Sequence, residues 1–141
     1  MIVADTNLIA YLYIEGEFTE AAEQILAQEA EWAAPPLWRS ELRNVLALYI
    51  RRNILTLDEG LGIARTAEDF LAPRSFAVDT EDVLYLAAES GCTAYDCEFV
   101  ALAQKLEIRL VTNDRKVLSA FPDTACSPEA LLDAQSDENG L

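Results

Sequence analysis

The sequence contains no histidine in 141 residues. This absence excludes the Ser-His and Cys-His pairs of many hydrolases, and it removes the commonest general base near neutral pH. Any chemistry must therefore use carboxylates, hydroxyl groups, lysine or a bound metal ion. Carboxylates are abundant, because 25 Asp and Glu residues stand against 10 Lys and Arg residues.

Cysteine is also scarce, and its three copies are Cys92, Cys97 and Cys126. An odd number of cysteines without a secretion signal argues against a disulfide framework. A zinc site is disfavoured too, because the sequence has neither a close CxxC pair nor a histidine. We expect three buried or half-buried thiols.

The sequence has no apolar run long enough to cross a bilayer, and its first residues lack a signal-peptide pattern. We therefore expect a cytoplasmic protein with no membrane segment. The length and an apolar content of 52% predict one domain with a sizeable core. We place this domain at residues 1–132 and expect the polar, acidic residues 133–141 to form a mobile tail.

The formal net charge is −15 at pH 7. Taken alone, this charge argues against a nucleic-acid partner, because phosphate binding normally requires a basic surface. It fits an acidic protein that binds metal ions or a basic partner.

Apolar runs and helical periodicity alternate along the chain and predict an α/β fold. The predicted strands are residues 2–4, 32–34, 75–78, 108–112 and 124–126. The predicted helices are residues 8–12, 19–30, 37–52, 56–71, 80–90, 95–106 and 114–120, with a further turn from Pro128. Strands separated by helices favour a central, mostly parallel sheet with helices on both faces, and such sheets bind ligands at the carboxyl ends of their strands.

Four acidic residues are expected at that edge of the sheet. Asp5 and Asp114 each follow a predicted strand. Glu41 lies on the apolar stripe of its helix, where a carboxylate is unfavourable unless something compensates it. Asp96 lies in the first turn of its helix, next to the apolar residues of that helix.

Each acid also has a structural interpretation. Asp5, Asp96 and Asp114 are all placed as helix caps or first-turn acids, which the helix dipole favours. Glu41 would need a distant partner, because the nearby arginines do not face it across the helix. If the four acids instead form a cluster, their mutual repulsion calls for a cation, and an oxygen-only ligand set suits Mg²⁺ or Mn²⁺. Such a site can hydrolyse a phosphodiester without histidine.

Four segments of the sequence resemble the motifs of the PIN-domain family, and within it the VapC-like toxins of toxin–antitoxin pairs. These segments, in chain order, are Ile2-Val3-Ala4-Asp5-Thr6-Asn7-Leu8, Ser40-Glu41 with Val45-Leu46, Tyr95-Asp96 through Ala101-Leu102-Ala103, and Leu110-Val111-Thr112-Asn113-Asp114. The resemblance covers most of the chain and retains all four acids. Glu98 departs from the family pattern, which often has a small residue there.

The resemblance implies a three-layer α/β/α fold and metal-dependent hydrolysis of single-stranded or looped RNA. It implies that Asp5 and Asp96 are the main metal ligands and that Glu41 and Asp114 complete the site. Supporting hydrogen bonds would come from Thr112 and from Thr6 or Asn7, for which turn and capping chemistry is an equal alternative. The family also implies a homodimer and a small antitoxin whose basic C-terminal segment lies over the acidic groove.

RNA binding by so acidic a chain needs local cations. Arg39, Arg43 and Arg115 are candidates for gripping phosphates beside the metal site, and ordinary solvated surface is their alternative. A haloacid-dehalogenase-like phosphatase fits poorly, because Asn7 stands where a second Asp is required. Receiver domains fit poorly as well, because Asp5 has no acidic neighbour. A PIN-fold nuclease for RNA processing and a PIN-fold binding module without activity remain open.

Overall fold

The computed structural model describes residues 1–139 and places four short, buried strands in one sheet. The strands are β1 (Ile2–Ala4), β2 (Trp32–Ala33), β3 (Leu110–Val111) and β4 (Ala125–Cys126). Their order is β2-β1-β3-β4, and every neighbouring pair is parallel. The α/β fold expected from the sequence is confirmed.

Within the described residues, eight α-helices connect and cover the strands. They are α1 (Thr6–Tyr13), α2 (Thr19–Gln28), α3 (Leu37–Arg51), α4 (Leu57–Leu71), α5 (Thr80–Ser90), α6 (Ala94–Leu106), α7 (Arg115–Ala120) and α8 (Pro128–Asn139). The connection from β1 to β2 crosses the sheet in one direction and the connection from β2 to β3 in the other. Right-handed crossovers therefore place their helices on opposite faces, which gives the three layers. None of the helices within residues 1–139 is long and apolar enough to span a membrane.

The core is built around two buried tryptophans and an apolar helix. Trp32 and Trp38 are both fully buried, and the indole N–H of Trp32 donates to the backbone oxygen of Glu29 at 2.8 Å. Helix α6 is buried continuously from Phe99 to Ala103 and packs against β1, β3 and α5. Its first turn is consequently held in a fixed position at the carboxyl edge of the sheet.

The predicted strand 75–78 is wrong beyond its first residue. Ser75 forms a single parallel bridge with Ala34, and the chain then leaves the sheet. The backbone N–H of Phe76 donates to Ala34 at 3.0 Å, but the residues after Ala34 are Pro35 and Pro36. Because proline has no N–H to donate, the ladder cannot continue.

The boundary placed at residue 132 falls inside a helix. Helix α8 begins at Pro128, packs against α2 and continues to Asn139, so residues 133–139 are helical. Residues 140 and 141 lie outside the described part of the chain. The mobility of the segment 133–141 stays a prediction.

Asp5 and Thr112 directly follow the two central strands, β1 and β3. From β1 the chain crosses to one side of the sheet, and from β3 it crosses to the other. The two connections diverge and leave a crevice between the carboxyl ends of these strands, which is where open α/β sheets bind ligands.

Unscreened negative charge should limit the stability of this fold. Within residues 1–139 the ion pairs involve two acidic side chains, Glu29 and Glu68, although the chain has 25. Raising KCl from 0.1 M to 1 M shortens the Debye length from about 10 Å to about 3 Å and weakens the repulsion. We expect thermal melts followed by circular dichroism to show a Tm several degrees higher in 1 M KCl. Sucrose, which does not screen charge, is the nonionic control. An unchanged or lower Tm in 1 M KCl would contradict this expectation.

Candidate functional site

A cavity of about 460 Å³ opens at the carboxyl edge of the sheet, between the ends of β1 and β3, helix α3 and the first turns of α6. Its polar lining residues are Asp5, Thr6, Asn7, Ser40, Glu41, Asn44, Tyr95, Asp96, Thr112 and Asp114. All four carboxylates singled out in the sequence therefore line one cavity, together with the three residues expected to support them.

Asp5 is held by both of its carboxylate oxygens. Oδ1 accepts the backbone N–H of Leu8 at 2.8 Å, so Asp5 is the N-cap of α1. Oδ2 accepts the hydroxyl of Thr112, 107 residues further along the chain. Burial raises the pKa of Asp5 from 3.8 to about 6 against the lowering effect of these two hydrogen bonds, and the charges of Asp114 and Glu41 add to the rise.

Thr112 joins the ends of the two central strands. Its hydroxyl donates to Asp5, and its oxygen accepts the backbone N–H of Asp114 at 3.0 Å. Asp114 in turn caps α7, because its Oδ1 accepts the N–H groups of Lys116 and Val117 at 2.9 and 3.1 Å. One oxygen of Asp114 serves the helix, and its other oxygen makes no protein hydrogen bond among the described residues.

Glu41 is half-buried on α3, and its partner lies on another helix. The hydroxyl of Thr6 donates to Oε1 of Glu41 at 2.8 Å. Burial raises the pKa of Glu41 in spite of this hydrogen bond, and the nearby charges of Asp96 and Glu98 raise it further. The distant partner that Glu41 required is thus a neutral hydroxyl, which orients the carboxylate without compensating its charge.

Asp96 lies in the first turn of α6 but does not cap it. Thr93 is the N-cap, and its hydroxyl oxygen accepts the backbone N–H of Asp96 at 3.0 Å. The carboxylate of Asp96 has no hydrogen-bond partner among residues 1–139 and lines the cavity. Its position at the N-terminal end of a helix also favours a negative charge there.

The donor set fits a hard divalent cation. All four acidic groups present oxygen, and two of them, Asp5 and Glu41, carry pKa values raised by burial and by their acidic neighbours. A cation among them would offset both the cost of burying these charges and their repulsion by acidic neighbours. Within residues 1–139, however, no three acidic or cysteine side chains already lie close enough to enclose a metal ion. The carboxylates line the walls of the cavity and would have to converge on a bound ion.

The three arginines proposed for phosphate binding do not line this cavity. Arg39 and Arg43 both point to α4, where they lie 3.6 and 3.5 Å from Oε1 of Glu68. Arg39 also lies over the ring of Trp38, 5.6 Å from its centre. Arg115 is exposed in the first turn of α7. Their role in RNA binding stays a prediction.

Sequence reasoning missed three polar residues of the cavity wall. Ser40 and Asn44 are exposed on α3, and Tyr95 is exposed at the start of α6. Helical geometry could have identified Asn44, because residues three apart share a face and Glu41 was already in view. The three cysteines are free and buried, as expected.

The fold and the cavity define an α/β protein with an acidic ligand site at the carboxyl edge of a parallel sheet. The family model of the PIN domain matches residues 2–123. The chain therefore belongs to the PIN-domain family. It is 35% identical over 124 residues to Ribonuclease VapC3 of Pyrobaculum aerophilum, which covers 86% of this chain and 95% of that protein.

Solved structures share the fold at 19% identity. PAE2754 from Pyrobaculum aerophilum gives a TM-score of 0.75 over 96% of this chain and 89% of that chain. FitAcB from Neisseria gonorrhoeae gives a TM-score of 0.69 over 92% of this chain and 99% of that chain. A toxin–antitoxin complex from Klebsiella pneumoniae gives 0.68 over 91% and 98%. The four-stranded parallel sheet and its helices are thus the fold of these proteins.

The buried charge of Asp5 predicts a pH-dependent loss of stability in the metal-free protein. Folding is unaffected by this group below about pH 3.8, where Asp5 is protonated in both states, and the penalty grows until the pH passes about 6. Its upper limit is about 3 kcal/mol. We expect Asp5→Asn to have a higher free energy of unfolding than the unsubstituted protein at pH 7.5 in EDTA, and a much smaller advantage at pH 4. Urea unfolding at the two pH values measures both differences.

Asp69→Asn is the matched control, because Asp69 is exposed on α4 away from the cavity. Its effect on the free energy of unfolding should be small and similar at both pH values. Equal stability of Asp5→Asn and the unsubstituted protein at pH 7.5 would mean that the charge of Asp5 is well solvated.

The Thr112 hydroxyl should stabilise the charged form of the site. In Thr112→Val, Asp5 loses a donor and the backbone N–H of Asp114 loses its acceptor, at nearly constant side-chain volume. We expect a loss of about 1–3 kcal/mol in the free energy of unfolding at pH 7.5, and a smaller loss at pH 4. Thr66→Val, which removes an exposed hydroxyl bonded within α4, is the control. A loss that is the same at both pH values would mean that the hydroxyl does not stabilise the charge of Asp5, and would refer the effect to the unpaired N–H of Asp114 and to packing.

Proposed function

We propose that this protein is a metal-dependent endoribonuclease, the toxin of a toxin–antitoxin pair, that hydrolyses phosphodiester bonds in RNA. One observation carries the proposal. Asp5, Glu41, Asp96 and Asp114 line a single cavity in a PIN-domain chain that is 35% identical to Ribonuclease VapC3. Without histidine, this acidic cavity is the place where the chain can support hydrolysis.

In the proposal, Asp5 and Asp96 are the main ligands of Mg²⁺ or Mn²⁺, and Glu41 and Asp114 complete the site directly or through water. A metal ion held by these residues would supply Lewis-acid chemistry and would ease deprotonation of the water that attacks phosphorus. Thr112 and Thr6 orient Asp5 and Glu41 through their hydroxyl groups. Asn7, which is exposed and lines the same cavity, would be a further source of supporting hydrogen bonds.

The proposed partners follow from charge and from the family. A small antitoxin with a basic C-terminal segment would be attracted to a chain of net charge −15, and an arginine from it could occupy the acidic cavity. The structural neighbours include a toxin–antitoxin complex. A homodimer and a cytoplasmic location, where RNA and a newly made antitoxin are both at hand, belong to the same proposal.

Two alternatives use the same fold. An RNA-processing nuclease would cut without being toxic, and expression of the chain in a host without its antitoxin separates the two by growth arrest. A binding module would hold metal or RNA without cutting. The retention of all four carboxylates in one cavity favours an enzyme over a binding module.

Removal of a carboxylate should abolish cleavage while the fold persists. We expect a labelled RNA pool to be cut by the protein with Mg²⁺ or Mn²⁺, and not in EDTA. Asp5→Asn and Asp96→Asn should each lower the rate by about 100-fold or more, because each removes a charged metal ligand. Denaturing gels of the reaction products measure the rate and locate the cuts.

Asp69→Asn again serves as control and should cut like the unsubstituted protein. Cleavage that survives both active-site substitutions would indicate a contaminating nuclease. No cleavage with either metal, from a folded protein tested on total cellular RNA, would sink the nuclease proposal and favour the binding module.

A further inference from the structure

Among the described residues, the wall of the acidic cavity carries no positively charged side chain. None of its lining residues is lysine or arginine, whereas it includes four carboxylates. Most proteins gain much of their affinity for nucleic acid from contacts between cationic side chains and phosphates. Inside this cavity, that source of affinity is missing apart from a bound metal ion. Substrate must therefore be held there largely by uncharged groups.

Tyr95 is the exposed aromatic residue of this wall. Its side chain is 62% exposed, whereas Phe99, the other aromatic lining residue, is 5% exposed and part of the core. Tyr95 lies in the first turn of α6, one residue before Asp96. Among the described residues its hydroxyl makes no hydrogen bond and its ring packs on no other aromatic ring. Its ring is available to a ligand in the cavity.

We propose that Tyr95 stacks on an unpaired RNA base beside the bond that is cut, and so selects single-stranded substrate. The inference rests on the proposed nuclease function and adds a specificity-determining residue to it. Every base presents a flat π face, and stacking on an aromatic side chain supplies affinity without any positive charge. A base inside a duplex has both faces covered by its neighbours, so the same contact would be lost in paired RNA.

The remaining polar wall supplies uncharged hydrogen-bonding groups around the stacked base. Asn7, Ser40 and Asn44 are all exposed and line the cavity from α1 and α3. Amide and hydroxyl side chains both donate and accept, so they can contact base edges and sugar hydroxyls. These contacts orient a nucleotide whose position the Tyr95 ring has already fixed.

The first test is the Michaelis constant for a short single-stranded RNA that the unsubstituted protein cuts. Stacking on one base contributes enough that Tyr95→Ala should raise KM roughly 5- to 150-fold. Tyr95→Phe and Tyr95→Trp retain an aromatic face and should stay within about threefold of the original KM. All three variants should melt normally, because the side chain is exposed.

Tyr85→Ala is the matched control. Tyr85 is 65% exposed on the neighbouring helix α5 and lines a different surface cavity. Its removal should leave KM and kcat unchanged. An equal rise of KM in both alanine variants would point to a general loss of aromatic surface and would overturn the assignment to Tyr95.

The second test removes the base instead of the ring. In a series of RNAs that each lack one base near the cut, one position should stand out. Removal of the base there should raise the KM of the unsubstituted protein as much as Tyr95→Ala raises KM for the intact RNA. At that position Tyr95→Ala should show little further loss, because the two changes delete the same contact. A merely structural role for Tyr95 would give the same abasic response in both proteins, which would refute the inference.

Failure of the inference and failure of the function look different. If the unsubstituted protein cuts RNA and Tyr95→Ala cuts with the same KM, the nuclease stands and the stacking role falls. If the unsubstituted protein cuts no RNA with Mg²⁺ or Mn²⁺, the nuclease and the stacking role that rests on it fall together.

Discussion

The burial of neighbouring carboxylates at one edge of the sheet is the constraint on which the rest of this structure depends. Asp5 directly follows β1, and Asp114 caps α7 three residues after β3. Glu41 and Asp96 lie on α3 and α6, so separate elements hold the four carboxylates at one cavity. Burial raises the pKa of Asp5 to about 6 and also raises the pKa of Glu41, and neighbouring acidic charges add to both rises. Hydroxyl groups of Thr6 and Thr112 orient these acids but leave their charge uncompensated. Packing of the apolar core offsets the unfavourable energy of these buried charges, and a bound cation would reduce that energy.

The excess of negative charge over the whole chain acts differently from the charge in the cavity. Repulsion among exposed carboxylates is screened by salt, whereas the cavity is partly shielded from solvent and is screened less. Arg39 and Arg43, the arginines nearest to Glu41 in sequence, both pair with Glu68 on α4. They therefore offset negative charge at this surface and not in the cavity. In the proposed function, a bound metal ion would therefore be the main positive charge where phosphate would lie.

The sequence carried the parts of the fold that depend on local patterns. Apolar runs located all four strands, and the positions after β1 and β3 placed Asp5 and Asp114 at the ligand edge. Local patterns could not show how far each strand pairs with its neighbour in the sheet. The predicted strand 75–78 stops after one bridge, because Pro35 and Pro36 follow its partner Ala34 and have no N–H to donate. Composition marked residues 133–141 as a polar tail, but it did not show that residues 133–139 continue helix α8, which packs against α2. The pairing of Arg39 and Arg43 with Glu68 depends on how α3 meets α4, which no local pattern records.

For Asp5 and Asp114, a capping role does not exclude the proposed metal-binding role, because a carboxylate has two oxygens with several acceptor positions. Asp114 caps α7 through Oδ1 alone, and Asp5 caps α1 through Oδ1 while Oδ2 meets Thr112. At α6 the division is between residues, because Thr93 takes the capping role and frees the carboxylate of Asp96. Capping fixes the direction of the side chain, because the hydrogen bond that pairs a free N–H group of the first helical turn also sets the side-chain rotamer. Two of the four acids, Asp5 and Asp114, are therefore oriented in advance by the helices that they cap, whereas all four carboxylates would still have to converge to hold the proposed metal ion.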